Sequence, residues 1–450
     1  MCTLARRRLH LPKTQGLHGY NTFPAVPYDD PAFRVTQQAL FPDALRYPGG
    51  TVANYFDWRT GSFVTPCSAK VCSERGRLES LPERSFASDA FARGASSLEQ
   101  VWVLNVLSSD AAGMRMQLEW LASQRADVAA IEFGNELFAS RYAGSFPTAH
   151  AFMTKVAGAV SLARRLFPFA KLAAPMGFPF CGQAESVFDT WNRDLARYAH
   201  VWDALTLHDY STCAHSLSAG TADPRAALLA WGDAALRKHR AAVARAFGNA
   251  DALRLELWLS EVGVAIWNGP PLGEADAEQW NRKALAGMHM ASFIVAAAAG
   301  DSRTRRLHLH LMAAEKGGWG SKAALVHIQR NASTVTSARL SAAGQVVSHV
   351  AAIAQRGSGG SVGIEGIACP QMQHAVLGVG GLPCVSGAAW LDNRDAQQEV
   401  STWPAAVVLI NRCPQPIKAS LVGLASADGW GGSVGNITVY MSSDVGDRVR

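Results

Sequence analysis

The sequence predicts an α/β chain: a (β/α)8 barrel over residues 1–356, followed by a β-sandwich over residues 357–450. Three observations lead there. From about residue 17 to 356, short apolar runs alternate with stretches whose apolar residues recur every three or four positions. The short runs number eight, and eight strands alternating with helices is the profile of a closed parallel barrel. After "RGSGGSVG" (356–363), which reads as a linker, the helical period disappears and Gly and Pro punctuate short β-like runs.

Taken in order, the eight runs are "LHGYNTF" (17–23), "DALRYPGG" (43–50), "VWVLNVLS" (101–108) and "DVAAIEFGNE" (127–136), then "AKLAAPM" (170–176), "WDALTLHDY" (202–210), "LELWLSE" (255–261) and "RRLHLHLMAA" (305–314). Helical spacing marks residues 112–124, 147–166, 185–199, 224–247 and 275–299. Beyond the linker, "AAVVLINR" (405–412), "IKASLVGLA" (417–425) and "NITVYMSS" (436–443) read as strands, a sandwich that N-terminal residues would complete.

Composition narrows the function. A net charge of +6 over 450 residues is mild, and apart from Arg6-Arg7-Arg8 the basic residues are scattered. That is a solvated surface, not a nucleic-acid site. No run reaches the roughly 18 to 20 apolar residues of a membrane span. No apolar segment follows the basic N-terminus, so no signal peptide is visible. The eight cysteines contain no CxxC, which argues against zinc. Disulfides Cys67–Cys72 and Cys369–Cys384, or free thiols, account for them equally well.

Three motif readings fail on context. "GGSVG" at 359–363 and at 431–435 matches a nucleophile elbow but lacks the strand before and the helix after. "GVGG" at 378–381 runs into Leu-Pro-Cys, which cannot open a dinucleotide-binding helix. With no phosphate loop either, no cofactor is expected.

In a barrel of this kind, side chains at the C-terminal strand ends converge on one mouth. Those ends carry Asn21, Arg46, Asn105, Asn135-Glu136, His208-Asp209-Tyr210, Glu261 and the pair His308/His310. Two glutamates on different strands, ringed by amide, imidazole and phenol groups, are the groups glycoside hydrolysis needs. One protonates the leaving oxygen and the other attacks or stabilises the anomeric carbon. The bland alternatives are a capping or salt-bridging Glu136, a core His208, and Asn105 and Tyr210 as ordinary polar strand ends. His308 and His310 share a strand face, but without a carboxylate or third histidine nearby in sequence no metal is expected.

With those residues in view, "GNELF" at the fourth strand, "LWLSE" at the seventh, "LRYPGGTVANYFDW" (45–58) at the second and "LHDY" at the sixth together resemble one clan. It is the retaining glycosidases on (β/α)8 barrels, with arabinofuranosidase-like and heparanase-like members. The resemblance covers about residues 17–320 and implies Glu136 as general acid/base and Glu261 as nucleophile. It also implies substrate contacts from Arg46, Asn105, Asn135, His208, Tyr210 and Trp267, with Asn135 on the sugar 2-hydroxyl. Arg46 is expected to pair with Glu261 or Glu132, and Tyr210 to hold the nucleophile. The partner would be an oligosaccharide, polysaccharide or glycoconjugate, and the compartment secretory. A transglycosidase, or a carbohydrate-binding barrel without turnover, carries the same residues. A uronate substrate would favour a cationic rim from Lys70, Arg75 and Arg77, and Trp267 and Trp319 could offer sugar platforms.

Overall fold

The computed structural model describes residues 2–11, 18–23, 26–64, 66–67, 72, 88–124, 126–178, 185–210, 224–263, 284–300, 303–315, 324–331, 334–356, 361–366, 382, 384–391, 404–412 and 419–422. Eight parallel strands close into a barrel in chain order. They are His18–Asn21, Ala44–Tyr47, Glu99–Leu104, Val128–Phe133, Lys171–Pro175, Ala204–Tyr210, Glu256–Gly263 and Thr304–Leu309. Each of the eight runs read from the sequence supplies one.

Among the described residues one α-helix follows each strand before the next begins: Pro31–Gln38, Ser88–Gly94, Ala111–Ser123, Ala149–Leu166, Asp189–Ala196, Pro224–Arg254, Ala284–Ala299 and Ala342–Arg356. The helix starts are chemically marked. Asp30, Asp110 and Thr148 each accept a hydrogen bond from a first-turn backbone N–H that has no intrahelical partner. The sixth helix breaks at Gly248, whose φ of 74° and ψ of 164° end the run that the sequence places at 224–247. The last helix, absent from the sequence reading, buries Ala343, Val347, Val350, Ala351 and Ala354, the expected three- and four-residue spacing.

Side-chain size fills the barrel. Ala130, Ala173 and Ala204 are small enough to leave room for the buried indole of Trp258, and with Val101 they form one apolar layer. Below it the Arg306 guanidinium lies 5.1 Å from the Trp258 ring centroid. Arg306 pairs with Glu99 at 2.7 Å, and Lys171 with Glu256 at 3.4 Å, which finishes the floor. The outward face of the strands packs under the helices, as where Phe133 and Phe152 meet Trp202. The result is a plugged cylinder, open to chemistry only at the strand C-termini.

Two expectations change. Ser361–Gly366, half of it inside the segment the sequence assigns to a linker, is the middle strand of a five-stranded sheet. Its alternating Val362 and Ile364 carry a strand period that the surrounding glycines hide. Its neighbours are Val385–Leu391 and the N-terminal strand Cys2–Leu11, with Pro404–Asn411 and Ala419–Val422 at the edges. The chain therefore enters this sheet before it enters the barrel, and a division at 357 needs a second break near the N-terminus. Asp233 on the sixth helix anchors the sheet to the barrel through Arg412 and through Ser386 at 3.2 Å. One such sheet is present among the described residues; the run at 436–443 lies outside them. The eighth run also divides. The barrel strand ends at Leu309, and Ala313–Glu315 pairs instead with a hairpin of Val326–Asn331 and Thr334–Leu340. Cys67 and Cys72 are joined, and Cys384 is disulfide-bonded as well, which removes free thiols as an account of these three. No helix among the described residues is long and apolar enough to cross a membrane.

Candidate active site

The fourth strand stops at Gly134, whose φ of +85° is open to glycine and strained for other residues. A β-carbon there would also sit 2.5 Å from Leu137 Cδ1. The next residue is held by a side chain from another loop. Asn54 donates from Nδ2 to the Asn135 carbonyl at 2.7 Å and accepts the Asn135 N–H on Oδ1 at 3.0 Å. Glu136 follows in the left-handed region with φ +51°, a conformation costing a non-glycine residue about 1 kcal/mol or more. This turn lifts the Glu136 carboxyl over the barrel mouth.

Glu261 reaches the same place from the seventh strand, helped by a register shift against the sixth strand between Leu259 and Glu261. One carboxylate oxygen of Glu136, one of Glu261 and a ring nitrogen of His208 all lie within 4.8 Å of one another. His208 Nδ1 is 2.8 Å from Glu136 Oε1 and 3.6 Å from Glu261 Oε2, while its Nε2 is 3.1 Å from Ser260 Oγ. The imidazole is thus wedged between the two carboxylates. The Tyr210 hydroxyl donates to the same Glu261 oxygen.

The outer oxygens of the two glutamates are each held by a guanidinium. Arg46, fully buried, donates from Nη1 to Glu261 Oε1 at 2.9 Å and to Asn21 Oδ1 at 3.2 Å. Its Nε donates to Glu132 Oε2, and its Nη2 meets Glu132 Oε2 and Asn135 Oδ1, all at 2.9 Å. Four hydrogen bonds from Nε, Nη1 and Nη2 thus go to groups of the protein itself. Arg46 fixes Asn135, Glu132 and Glu261 against each other. Gly49 makes room for this arrangement, because a β-carbon there would overlap Asn21 Oδ1 at 1.3 Å. On the far side, Arg141 Nη2 donates to Glu136 Oε2 at 2.6 Å.

These contacts set the charge states. Burial alone would raise the Glu261 pKa, but the nearby His208, His310 and Arg46 and the Tyr210 hydrogen bond bring it down to about 2. Glu261 is therefore a carboxylate across the physiological range. Tyr210 is held well above its usual range by burial, then by Glu261 and Glu136, so it stays a neutral donor. Burial opposes the charge on Arg46, yet Glu132 and Glu261 more than restore it. Arg46 and Arg141 bring two positive charges to the three carboxyl groups of Glu132, Glu136 and Glu261.

The remaining strand-end residues divide. Asn135 Nδ2 is buried and has no hydrogen-bond partner, an uncompensated donor beside the two carboxylates. Asn105 spends its amide inside the protein, donating to the Phe56 carbonyl at 3.0 Å and to Ser108 Oγ at 2.7 Å while accepting from Ser108 N–H at 3.0 Å. These bonds tie the third strand end to the residues around Phe56. Asp209 points outward, accepting from the Trp231 indole at 2.7 Å and lying 2.9 Å from His239. His308 is buried, and burial, then Arg306 and Arg46, hold its pKa well below 6.5, which makes it a neutral core histidine. His310 lies 2.7 Å from Asn21 Nδ2 and edge-on to Tyr210. Trp267, Trp319, Lys70, Arg75 and Arg77 lie outside the described residues.

Sequence reading did not single out Asn54 or Arg141. Asn54 sits inside the quoted "TVANYFDW", yet nothing local marks it as the partner of residue 135. Arg141 lies five residues after Glu136 on the short 3-10 turn Ser140–Tyr142, with no motif to flag it.

No protein-family model matches the chain, and no curated protein matches it. Solved structures do. AbfB, a family 51 α-L-arabinofuranosidase from Bifidobacterium longum, superposes with a TM-score of 0.68 at 15% identity, covering 94% of this chain and 90% of that one. An α-L-arabinofuranosidase from Thermotoga maritima gives 0.60 at 12% identity over 87% and 83%. A 4-O-α-L-rhamnosyl-β-D-glucuronidase from Fusarium oxysporum 12S gives 0.57 at 14% identity over 94% and 85%. At these identities the likeness is one of fold: a (β/α)8 barrel joined to a β-rich region.

Proposed function

We propose that this chain is a retaining O-glycoside hydrolase. The observation that carries the proposal is the meeting of Glu136 and Glu261, from the fourth and seventh strands, with carboxylate oxygens within 4.8 Å. Retaining enzymes place their carboxyl groups about 5 to 5.5 Å apart, and inverting enzymes about 6.5 to 9.5 Å, to leave room for water. The fold shared with arabinofuranosidases and a glucuronidase supports the same reading.

The roles follow from the environments. Glu261, ionised down to a pH of about 2, is the nucleophile that attacks the anomeric carbon and forms the glycosyl-enzyme bond. Arg46 and Tyr210 aim its two oxygens, one each. Glu136 delivers a proton to the departing oxygen, then takes one from the water that hydrolyses the intermediate. Asn135, its carbonyl oxygen fixed by Arg46 and its amide N–H groups unpartnered, donates to the sugar 2-hydroxyl. That contact tightens as positive charge grows on the ring. His208 bridges both carboxylates and acts on their orientation. No step requires a cofactor.

The test is a panel of aryl arabinofuranosides, uronides, glucosides and xylosides in water, with the first-formed anomer read by NMR. Hydrolysis with retained configuration is the expected result. Inversion, or transfer only to an added sugar, or binding without turnover, each overturns the assignment, the last two in favour of a transglycosidase or a silent binding barrel.

A further inference from the structure

Of the two histidines at the eighth strand end, His308 is a buried core residue and His310 has no part in the steps above. His310 follows directly on the barrel strand, and its ring meets Asn21 in a hydrogen bond whose direction is fixed. The direction comes from Arg46. A guanidinium only donates, so the Asn21 atom 3.2 Å from Arg46 Nη1 is the carbonyl oxygen Oδ1. A turned amide would set N–H against N–H. Asn21 Nδ2 then faces His310 Nδ1 at 2.7 Å. An amide nitrogen only donates as well, so Nδ1 is the acceptor and bears no proton. An imidazole keeps at least one ring proton, and here it sits on Nε2. The ring can take a second proton only by giving up the Asn21 contact, and only then does its charge add to those that depress the Glu261 pKa.

We propose that His310 is a substrate-binding residue whose Nε2–H donates to a hydroxyl oxygen of the sugar seated at Glu261. Asn21 is the positioning residue that keeps the proton on that nitrogen. The ring stands beside the proposed nucleophile. It lies edge-on to Tyr210, with centroids 5.9 Å apart, and Tyr210 bonds Glu261 Oε2. Arg46 donates to the other Glu261 oxygen and to Asn21, so one set of contacts joins Glu261 to His310. The seventh strand closes up against the same residue. His310 N–H donates to the Val262 carbonyl at 2.7 Å, and a β-carbon at Gly263 would sit 2.8 Å from the His310 carbonyl. With Nδ1 engaged by Asn21, the ring offers a sugar a donor and not an acceptor. A hydroxyl takes that donor from whatever holds it before substrate arrives. The inference rests on Glu261 being the nucleophile.

Among the described residues, the charged and titratable groups facing the ring are Tyr210 from the sixth strand, Glu261 from the seventh and, through Asn21, Arg46 from the second. The first test needs no activity. In protein labelled with 15N-histidine, long-range proton–nitrogen spectra at about pH 8 distinguish a ring protonated on Nε2 from one protonated on Nδ1. The His310 signal among the 13 histidines is the one that His310→Gln removes. Nε2–H alone is the pattern expected in wild type. Asn21→Asp keeps the size and the Arg46 contact but turns the donor into an acceptor, so Nδ1 should gain a proton. Any other wild-type pattern, or one that Asn21→Asp leaves alone, overturns the role of Asn21.

The second test is kinetic, on the aryl glycoside that the panel shows to be turned over and on its monodeoxy analogues. His310→Leu should lower kcat/KM about tenfold, the effect of one neutral hydrogen bond. One analogue should lose the same factor in wild type and nothing further in His310→Leu, because donor and acceptor are partners. Losses that multiply for every analogue would mean that His310 touches no hydroxyl, and the proposal fails. Should His310→Leu not fold, Asn21→Asp answers alone. There Nε2–H survives only while the ring is charged, so kcat/KM should fall about tenfold with rising pH, along an additional limb above about pH 6.5. A profile parallel to wild type overturns the proposal. Glu261→Ala separates this from failure of the functional reading. If that variant keeps wild-type rates, the reading has failed; if it is inactive while His310→Leu and the analogues act independently, only this inference has.

Discussion

At the floor of the barrel Glu99 meets Arg306 and Lys171 meets Glu256, one cation for each carboxylate. At the mouth Arg46 serves Glu132 and Glu261 together, Arg141 holds Glu136 from outside, and His208 is wedged between two carboxylates. The mouth leaves Asn135 Nδ2 and Glu132 Oε1 buried without a hydrogen-bond partner, and the floor leaves one such group as well, Thr304 Oγ1 at the start of the eighth strand. A buried polar atom without a partner costs about 1 to 3 kcal/mol. The floor shows that this sequence can pair its charges off when stability is all that is asked. The mouth departs from that pattern, with two carboxylates in close approach, an amide with nothing to bond, and a left-handed Glu136. Those costs make sense where a substrate supplies the missing partner.

The largest effects should come from breaking the pair itself. Glu261→Ala removes the proposed nucleophile, and turnover should fall by about four orders of magnitude or more on every substrate. Glu136→Ala should depend on the leaving group. An activated aryl glycoside departs without protonation, so its first step survives while deglycosylation, which needs the base, becomes slow. Added azide needs no base and should rescue Glu136→Ala, giving the glycosyl azide of retained configuration. With Glu261→Ala it should give the inverted azide, attacking from the vacated face. NMR of the azide products decides: the same configuration from both variants would mean that the roles, or the mouth's asymmetry, are misassigned.

How far the sequence exposed this contrast depends on how local each signal is. That Glu136 and Glu261 meet was legible because a parallel barrel gathers its strand ends at one mouth, so two acidic strand ends suffice to place them together. Tyr210 on Glu261 and Arg46 on Glu132 and Glu261 were expected, and the geometry has both. That Arg46 also holds Asn21 and Asn135 was not legible, because those partners lie 25 and 89 residues away and meet it only in three dimensions. Asn54 was hidden for the same reason, its ligand being the backbone of a residue 81 positions on. The strand at Ser361–Gly366 was hidden differently, since the four residues just upstream, 357–360, are all Gly or Ser and composition outweighed a two-residue period. Asn105 lies at the strand end as read, and its amide bonds both Ser108 nearby and the Phe56 carbonyl 49 residues away.

Arg46→Lys sharpens the comparison at the next level down. Lysine keeps the charge but cannot reach Glu132, Glu261 and Asn135 at once, so Glu261 loses its aim and part of its electrostatic support. A loss of about 3 kcal/mol, the lower end for disturbing a buried pair, corresponds to a fall of roughly 10²-fold in kcat/KM. The sign of the pH effect follows from the nucleophile. Its depressed pKa keeps it active down to about 2, and weakening the cation beside it raises that pKa. The acid limb of kcat/KM should therefore move toward neutrality. Steady-state kinetics between about pH 3 and 8, with a thermal melt as control, measure both parts. Unchanged turnover in a variant that melts normally would reduce Arg46 to a structural residue like those of the floor.

The smallest effect belongs to the floor, where Lys171→Met removes one half of the Lys171–Glu256 pair. The lysine side chain is 48% exposed and the ion pair is 3.4 Å long, so water already screens much of the attraction. Glu256 is not stranded by the change, because it accepts from the Trp258 indole N–H at 3.0 Å. The loss should stay within about 1 kcal/mol of stability, read as a small shift in denaturant midpoint at constant slope. Between Lys171 and the mouth stands the dry layer of Val101, Ala130, Ala173, Ala204 and Trp258, which offers no polar path for the change to travel. Turnover and its pH profile should therefore match wild type. A fall in kcat/KM beyond about threefold, more than about 0.7 kcal/mol of transition-state stabilisation, would mean that floor charges reach the catalytic pair through that layer and that the two ends are electrostatically one unit.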